Sequence, residues 1–474
     1  MNEEFLQKFP EILFTLGKIA DKQNVELYVV GGFVRDLLLQ TGEKKDIDFS
    51  VIGDAVSFAK SLQSEIGARN VVVYERFGTA MTEVEGFKLE FVTAREESYS
   101  ADSRKPKVKK ADLISDLSRR DFTINTLTVG LNEKNRGKLY DPFNGIRDIE
   151  KKMIRTPLDP EMTFNDDPLR ILRAVRFAAT LNFEIEMSTK EAIKKMASRL
   201  KIVSAERITD ELLKILSGKK PSTGFLLLSE LEVLPFVIPE MIPMKGVEQR
   251  NDFHHKDVFF HTLKVVDNVA AVSEKLPLRL TALFHDVAKP RTKRFDEKIG
   301  WTFHGHDEIG ARMMEKIANR MRLSRHLKEY SQKLIRLHLR PIFLAGEGVT
   351  DSAVRRLIVQ AGEELDDLIL LCRADITSGN PERVQKHLQN FDLVMARVQE
   401  VREKDALRKF QSPVRGDEIM EICQLQPGPE VGRIKKAIEE AILDGVIKNE
   451  YDEALNYLYE IKDEYLKNTG KKNM

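Results

Sequence analysis

The sequence predicts a mixed α/β N-terminal domain followed by an all-α remainder. Three observations carry this expectation. Strand-like alternation is interleaved with helical periodicity as far as residue 95. From residue 120 onward the apolar spacing becomes helical and stays so. All nine histidines fall between His254 and His387, which marks one helical segment as having its own chemistry. A chain of 474 residues exceeds what a single hydrophobic core organises. The punctuation divides it into residues 1–150, 151–240, 241–390 and 391–474.

Residues 3–23 carry helical spacing. VELYVV (25–30) reads as a strand and runs through Gly31–Gly32 into a helix, FVRDLLLQ. DIDFSVI (46–52) alternates as a strand, and DAVSFAKSLQSEI follows as a helix. Two or three further strands are expected in 70–95, and the polar stretch 96–118 is expected as a mobile loop. That loop contains the basic run SRKPKVKK (103–110), a candidate patch that is more commonly a solvated surface. DPFNGIRDIEKKMIRTPLDP (141–160) is a turn-rich connection. NDDPLRILRAVRF (165–177) is expected as one helix, with Asp167 as N-cap and Pro168 at the first helical position. A Gly/Pro break, LQPGPEVG (425–432), interrupts the last helical unit.

Composition narrows the class. Hydrophobic residues make up 42% and charged residues 32%, as in a soluble globular protein, and the formal net charge is +1. No global basic field is present, so any nucleic acid must be held by local patches. Cys372 and Cys423 are the only cysteines, which excludes a disulfide framework and fits a reducing compartment. The first residues resemble neither a signal peptide nor a membrane span, so a cytoplasmic protein without a membrane partner is expected. Nothing in the composition fixes an oligomeric state.

Four stretches carry chemistry. Asp46 and Asp48 are two apart on a strand, so both carboxylates face the same side. Side by side they repel unless a cation lies between them, the way Mg²⁺ is held beside phosphates. Glu90 on a neighbouring strand is the candidate third acid; pairing of the aspartates with Lys44, Lys45 or solvent is the plainer alternative. Gly31 and Gly32 let backbone N–H groups approach a phosphate at a helix N-terminus, with Arg35 one turn in. In RRDFTINTL (119–127), Arg119 and Arg120 can serve phosphates, and Asp121 and Asn125 fall one helical turn apart. Two arginines opening a helix oppose its dipole, which points to an anionic partner.

The fourth stretch is the arginine-rich one. Asp167 and Arg170 are three apart, so an intrahelical ion pair of about 0.2–0.5 kcal/mol is one reading. The other is base selection. Adenine and cytosine both present an amino donor beside a ring-nitrogen acceptor, which a carboxylate and a guanidinium match. Guanine and uracil would leave those groups unpaired, at a cost that enforces rejection. Arg173 and Arg176 would both lie along the nucleotide-binding cleft, nearer the phosphates or bracing the pair, although a drift of about 60° per step turns Arg176 well away from Asp167 and also allows it a structural part.

The motifs GGFVRD with DID, RRDFTIN, DPFNGIRDI, DDPLRILRAVRFA and SAERITDEL occur in this order over about 31–215. Together they resemble the class II tRNA nucleotidyltransferase and bacterial poly(A) polymerase family. The resemblance implies a polymerase-β-like nucleotidyltransferase domain, then a helical neck, and template-independent nucleotide addition to an RNA 3′ end. One position departs: Asp166 stands where the family usually has Glu. The resemblance makes Asp167 and Arg170 the base-selecting pair and Glu206 and Arg207 its supports. It implies CCA addition to tRNA from CTP and ATP, with two Mg²⁺ ions at Asp46 and Asp48. Poly(A) synthesis, or addition of CC alone or A alone, would use the same motifs and remains an alternative.

His261, the His285–Asp286 pair, His304, His306, His338 and Asp375 form a second constellation, whose mixture of imidazole and carboxylate suits a divalent metal. Its order resembles the HD phosphohydrolase superfamily. By that resemblance His261, His285, Asp286 and Asp375 hold a metal of unspecified identity, and His306 and His338 serve a second metal or a phosphate. A phosphohydrolase in which this domain alone is the working part is the competing function. PVRGDEIMEICQLQPGPEVGRIKKAIEEAILDG (413–445) resembles the tail that lies along tRNA in such enzymes.

Overall fold

The computed structural model describes residues 6–42, 45–100, 103–247, 257–298, 300–346, 349–405 and 412–467. Lys44, His254, His255 and the first residues of the expected 3–23 helix lie outside them. The chain forms two compact units, Met1–Ile242 and Pro243–Met474.

The first unit is built on strands β1 (Glu26–Val30), β2 (Asp46–Ile52), β3 (Arg69–Tyr74), β4 (Thr79–Val84) and β5 (Phe87–Thr93). A hairpin follows, β6 (Arg95–Ser100) and β7 (Ser103–Lys110), then β8 (Thr128–Gly130) and β9 (Leu139–Tyr140). Seven strands make one sheet in the order β3-β4-β5-β2-β1-β8-β9. Strand β2 runs antiparallel to β1 and parallel to β5. Its alternation decides which side does what. Ile47, Phe49 and Val51 are buried, and Asp46 and Asp48 point to the opposite, accessible face. Beneath, Phe49 stacks on Phe91 at 4.7 Å and Phe58 of the helix Ala55–Ile66 meets Phe91 edge-on at 5.3 Å. This aromatic contact stiffens the two central strands that carry the acids.

The expectation of a mobile loop at 96–118 is overturned. Strands β6 and β7 pair antiparallel, with Arg95 opposite Lys110, and the helix Leu113–Ser118 follows. Backbone pairing needs no apolar side chains, so composition did not signal it.

The expectation of one continuous helix over 165–177 also fails. Pro160–Asp166 and Arg170–Leu181 are separate helices. Pro168 disfavours helical backbone at the residue before it, and Asp167 is extended at φ −138°, ψ 100°. Asp167 is therefore the C-cap of the first helix, and Leu169 is the N-cap of the second. The Asp167 carboxylate accepts from the Leu169 N–H at 3.1 Å, which fixes the corner as an Asx-type turn. A short parallel pair, β10 (Met153–Ile154) with β11 (Glu184–Ile185), ties this helical part together.

Among its described residues the second unit is helical apart from turns and a small hairpin, β12 (Arg294–Asp296) and β13 (Gly300–Thr302). The helix Pro381–Asp405 runs unbroken through residue 390. Beyond it, Val414, Ile419, Ile434, Ile438, Ala454 and Leu458 form a separate small core. No helix among the described residues is long and apolar enough to cross a membrane.

Candidate functional site

In the first unit the sheet register sets the acids. Asp48 lies opposite Glu90 across the parallel β2–β5 pair, and Asp46 lies opposite Lys88. Desolvation in the cleft raises the Asp48 carboxyl; Arg120 opposes this and Asp46 adds to it. Desolvation and then Asp48 raise Glu90. Three acids on one face, with Asp46 raising Asp48 and Asp48 raising Glu90, form a donor set of hard oxygens suited to a divalent cation. The same three line one open pocket with Lys88 and Met81.

The Gly31–Gly32 turn brings the backbone into this site. Gly31 has φ +80°, which favours glycine. A Cβ there would lie 3.5 Å from Arg120 Nη1 and 3.9 Å from Asp48 Oδ2. Arg35, in the next turn, is buried. It pairs with Asp36 at 2.7 Å and donates to Asn125 Oδ1 at 2.6 Å.

Arg119 and Arg120 do not open a helix. Arg119 caps the C-terminus of Leu113–Ser118, where a cation complements the dipole. Both arginines pair with Asp116, at 2.6 and 3.4 Å. The dipole argument for an anionic partner therefore falls. Burial opposes the charge on Asp116, but Arg120 and Arg119 hold its carboxyl below the usual range. Asp121 and Asn125 lie outside any α-helix, yet they meet: Asn125 Nδ2 donates to Asp121 Oδ1 at 3.0 Å, closing a tight turn.

A second concavity of this unit is lined by Arg119, Arg120, Asp121, Asp167, Leu169, Arg170, Arg173 and Arg207. Asp167 and Arg170 do not pair with each other there. Asp167 takes a two-pronged bond from Arg207, at 2.7 and 3.3 Å, from the helix Ala205–Leu216. Arg170 donates to the carbonyls of Arg119 at 2.5 Å and Thr163 at 3.3 Å. Arg173 donates through Nε to Asp121 at 2.7 Å. Burial would raise Asp121, but Arg173, Asn125 and Arg170 lower it to about 2. Arg176 turns away and pairs with buried Glu211 at 2.6 Å. The guanidinium groups of Arg176, Arg173 and Arg35 lie 4.0, 5.4 and 5.0 Å from the Phe177 ring centre. Sequence reading passed over Phe177 and Asp116. Neither has a motif signal, since one looks like core and the other like an ordinary helix acid.

In the second unit three helices converge. His261 lies on Val258–Val272, His285 and Asp286 close Leu276–Phe284, and Asp375 ends Leu365–Asp375. His261 Nε2 is 2.9 Å from Asp375 Oδ1 and 3.4 Å from Asp286 Oδ2, while His285 Nε2 is 3.3 and 3.2 Å from the same oxygens. His261 Nε2, His285 Nε2 and Asp375 Oδ1 are buried without a hydrogen bond. Burial disfavours a charged His285, yet Asp286 and Asp375 raise it to about 10. Buried acids that demand positive charge, with ligand atoms converging, fit a divalent metal. Each outer nitrogen is already engaged: His261 Nδ1 with Thr377 Oγ1 at 2.9 Å, His285 Nδ1 with the Ala282 carbonyl at 2.8 Å. The carbonyl accepts from the Nδ1–H of His285, so Nε2 is the nitrogen turned to the acids, where a metal would replace its proton.

A second group shares Asp286. Its Oδ1 lies 3.4 Å from His306 Nε2 and 3.9 Å from His338 Nε2. The Nδ1 atoms of these histidines bond to the carbonyls of Phe303 and Ile335. Two lone pairs therefore face each other at 3.3 Å, an arrangement that a cation relieves. Lys289, unmarked in the sequence reading, pairs with Asp286 Oδ2 at 2.6 Å. His304 is exposed.

Comparison with known proteins accords with this geometry. Residues 27–155 match the poly A polymerase head domain, 182–245 the probable RNA and SrmB-binding site of polymerase A, and 258–380 the HD domain. The chain is 33% identical to the A-adding tRNA nucleotidyltransferase of Deinococcus radiodurans, over 70% of this chain and 75% of that one. It is 30% identical to the CC-adding tRNA nucleotidyltransferase of Thermus thermophilus, over 92% and 93% of the two chains. A crystal structure of a tRNA nucleotidyltransferase complexed with a primer tRNA and an incoming ATP analog superposes with a TM-score of 0.58. The two share 27% identity, over 82% of this chain and 99% of that one. With the acids, the arginine-lined concavity and a histidine–aspartate centre in place, the chain belongs to the tRNA nucleotidyltransferase and poly(A) polymerase family of enzymes and carries an HD domain.

Proposed function

We propose that this enzyme adds C, C and A to the 3′ end of tRNA, using CTP and ATP and selecting each base with its own side chains. One observation carries the reading. Asp167 and Arg170 line a single concavity, each braced by a partner that leaves room for further bonds. A carboxylate and a guanidinium so presented match the edge shared by cytosine and adenine. Arg120 lies between this concavity and Asp48, so a base read at Asp167 would place its triphosphate toward the acids.

Asp46, Asp48 and Glu90 would hold divalent cations, Mg²⁺ by the hardness of their oxygens. Such ions, when bound, activate the attacking 3′-hydroxyl and neutralise the leaving pyrophosphate. The protein's own part is positioning. Arg119 and Arg120 would present positive charge to the phosphates, and Gly31, with no side chain, would let the backbone N–H groups approach them. Asp121 anchors Arg173 and with it the base-reading helix.

A second reading is favoured by the relatives: addition of A alone, or of CC alone, as the names of the two proteins above state for them. Purified enzyme given tRNA ending before CCA, after C, or after CC, with each labelled nucleotide, separates these. Stepwise incorporation of C, C and A, stopping there, is the expected result. Extension of only one of the three substrates, or long A tails, would overturn it.

We further propose that the HD centre hydrolyses phosphate esters. His261, His285, Asp286 and Asp375 would hold one metal, and Asp286, His306 and His338 a second.

A further inference from the structure

We infer that the hairpin β12–β13 is a nucleobase clamp at the HD centre, so that this centre takes a nucleotide or an RNA end rather than a bare phosphate. The inference rests on the reading of that centre as phosphate-binding.

The hairpin is too small to have a core, yet it displays aromatic rings. Phe295 is 58% exposed. Its ring meets that of Trp301 edge-on, with centres 5.1 Å apart. Lys293 Nζ sits 4.0 Å over the Trp301 ring. An exposed phenylalanine alone means little. Here it is braced by the chain's single tryptophan, which an ammonium group caps. Residues 291–298 hold four cations, Arg291, Lys293, Arg294 and Lys298, against Asp296 and Glu297. A flat apolar face flanked by positive charge is complementary to a base attached to phosphate. A peptide ligand would want a wider apolar groove.

Two contacts join the hairpin to the metal-ligand cluster. The chain leaving β13 passes through Phe303, whose carbonyl takes His306 Nδ1 at 2.7 Å. The Phe303 ring lies 5.7 Å from Lys289 Nζ, and Lys289 pairs with Asp286. A phosphate at Asp286 and Lys289 would thus leave its nucleoside pointing along the strand that carries Trp301.

Trp301 is its own reporter. Full-length protein with Mn²⁺ is titrated with adenosine 3′-monophosphate, ribose 5-phosphate and inorganic phosphate while indole emission is followed. Adenosine 3′-monophosphate should quench the emission, and the other two should not. Phe295→Ala should weaken that response about tenfold, the scale of one stacked base, and Phe295→Tyr should retain it. Equal responses to nucleotide and phosphate, or unchanged affinity in Phe295→Ala, would overturn the clamp. Hydrolysis of p-nitrophenyl phosphate separates the two readings. Nucleotide quenching without any hydrolysis sinks the hydrolase and keeps the clamp. Hydrolysis without a nucleotide-specific response does the reverse.

Discussion

Asp121 and Arg173 are joined side by side, with Arg173 Nε 2.7 Å and Nη2 2.5 Å from the same Asp121 oxygen. The pair links the turn that follows Arg119 and Arg120 to the helix that presents Arg170. Because Asp121 is buried and held at about 2, its folded carboxyl is depressed below the ordinary value near 3.9. The stabilisation is therefore complete above pH 4 and is lost as pH falls toward 2. Its size is about 2 kcal/mol. Asp121→Asn should lower unfolding free energy by that order at pH 7, and the gap from wild type should close near pH 2. Denaturant titrations at both pH values measure this.

Arg207→Ala tests the corner at Asp167. The Arg207 side chain is 45% exposed, so the ion pair contributes little to folding, of the order of 0–1 kcal/mol. Without it, only the Leu169 N–H holds the Asp167 carboxylate, through one oxygen, and its other oxygen is no longer oriented. Thermal stability should stay within a degree or two, while incorporation of G and U relative to C and A rises at least tenfold. If the mutant keeps wild-type selectivity, Arg207 does not orient Asp167.

Phe177→Leu addresses three cations gathered around one ring. Like charges brought together repel, and the ring face offsets part of that at about 0.5–2 kcal/mol per contact. Leucine keeps most of the buried volume but removes the ring. A loss of about 1–3 kcal/mol is expected, together with a raised KM for nucleotides as Arg173 loosens. A stability loss with unchanged KM would confine Phe177 to the core.

Much of this arrangement was legible beforehand. Strand alternation is a local property, so Asp46 and Asp48 could be placed on one face without knowing the fold. Glu90 could be named but its register could not, because pairing between β2 and β5 depends on a crossover. The break at Asp167 is not legible locally because an N-cap and a C-cap share residue types; only the preceding turn, Asn165–Asp166, decides that a helix is already running. The same ambiguity hides that Arg119 closes a helix and does not open one. Phe177 and Lys289 left no trace, since a ring that gathers cations and a lysine aimed at a carboxylate are defined by tertiary neighbours alone.

Asp48→Ala should reduce nucleotide addition by at least a thousandfold, the effect expected where cation-assisted transfer depends on the acid. The side chain is accessible on the sheet face opposite the core, so the fold should persist with an unchanged melting temperature. Hydrolysis of p-nitrophenyl phosphate by the HD centre should continue. Addition at the wild-type rate would remove Asp48 from the chemistry.

Chelation probes the second unit. With no cation present, the lone pairs of His306 and His338 face each other and the acids Asp286 and Asp375 draw protons onto buried imidazoles. A metal that binds only the folded protein stabilises it by RT ln(1 + [L]/Kd), about 2.7 kcal/mol at a hundredfold excess over Kd. Added Mn²⁺ or Ni²⁺ should therefore raise the melting transition that involves residues 243–474, and EDTA should reverse the rise. Asp286→Asn removes the carboxylate charge shared by both ligand groups while keeping its volume, so the shift should vanish in that variant. In His306→Gln, where the four-atom group stays whole, part of the shift should survive. A full metal response in Asp286→Asn would mean that the ion binds elsewhere, whereas a complete loss in His306→Gln would mean that the two groups form a single cooperative centre.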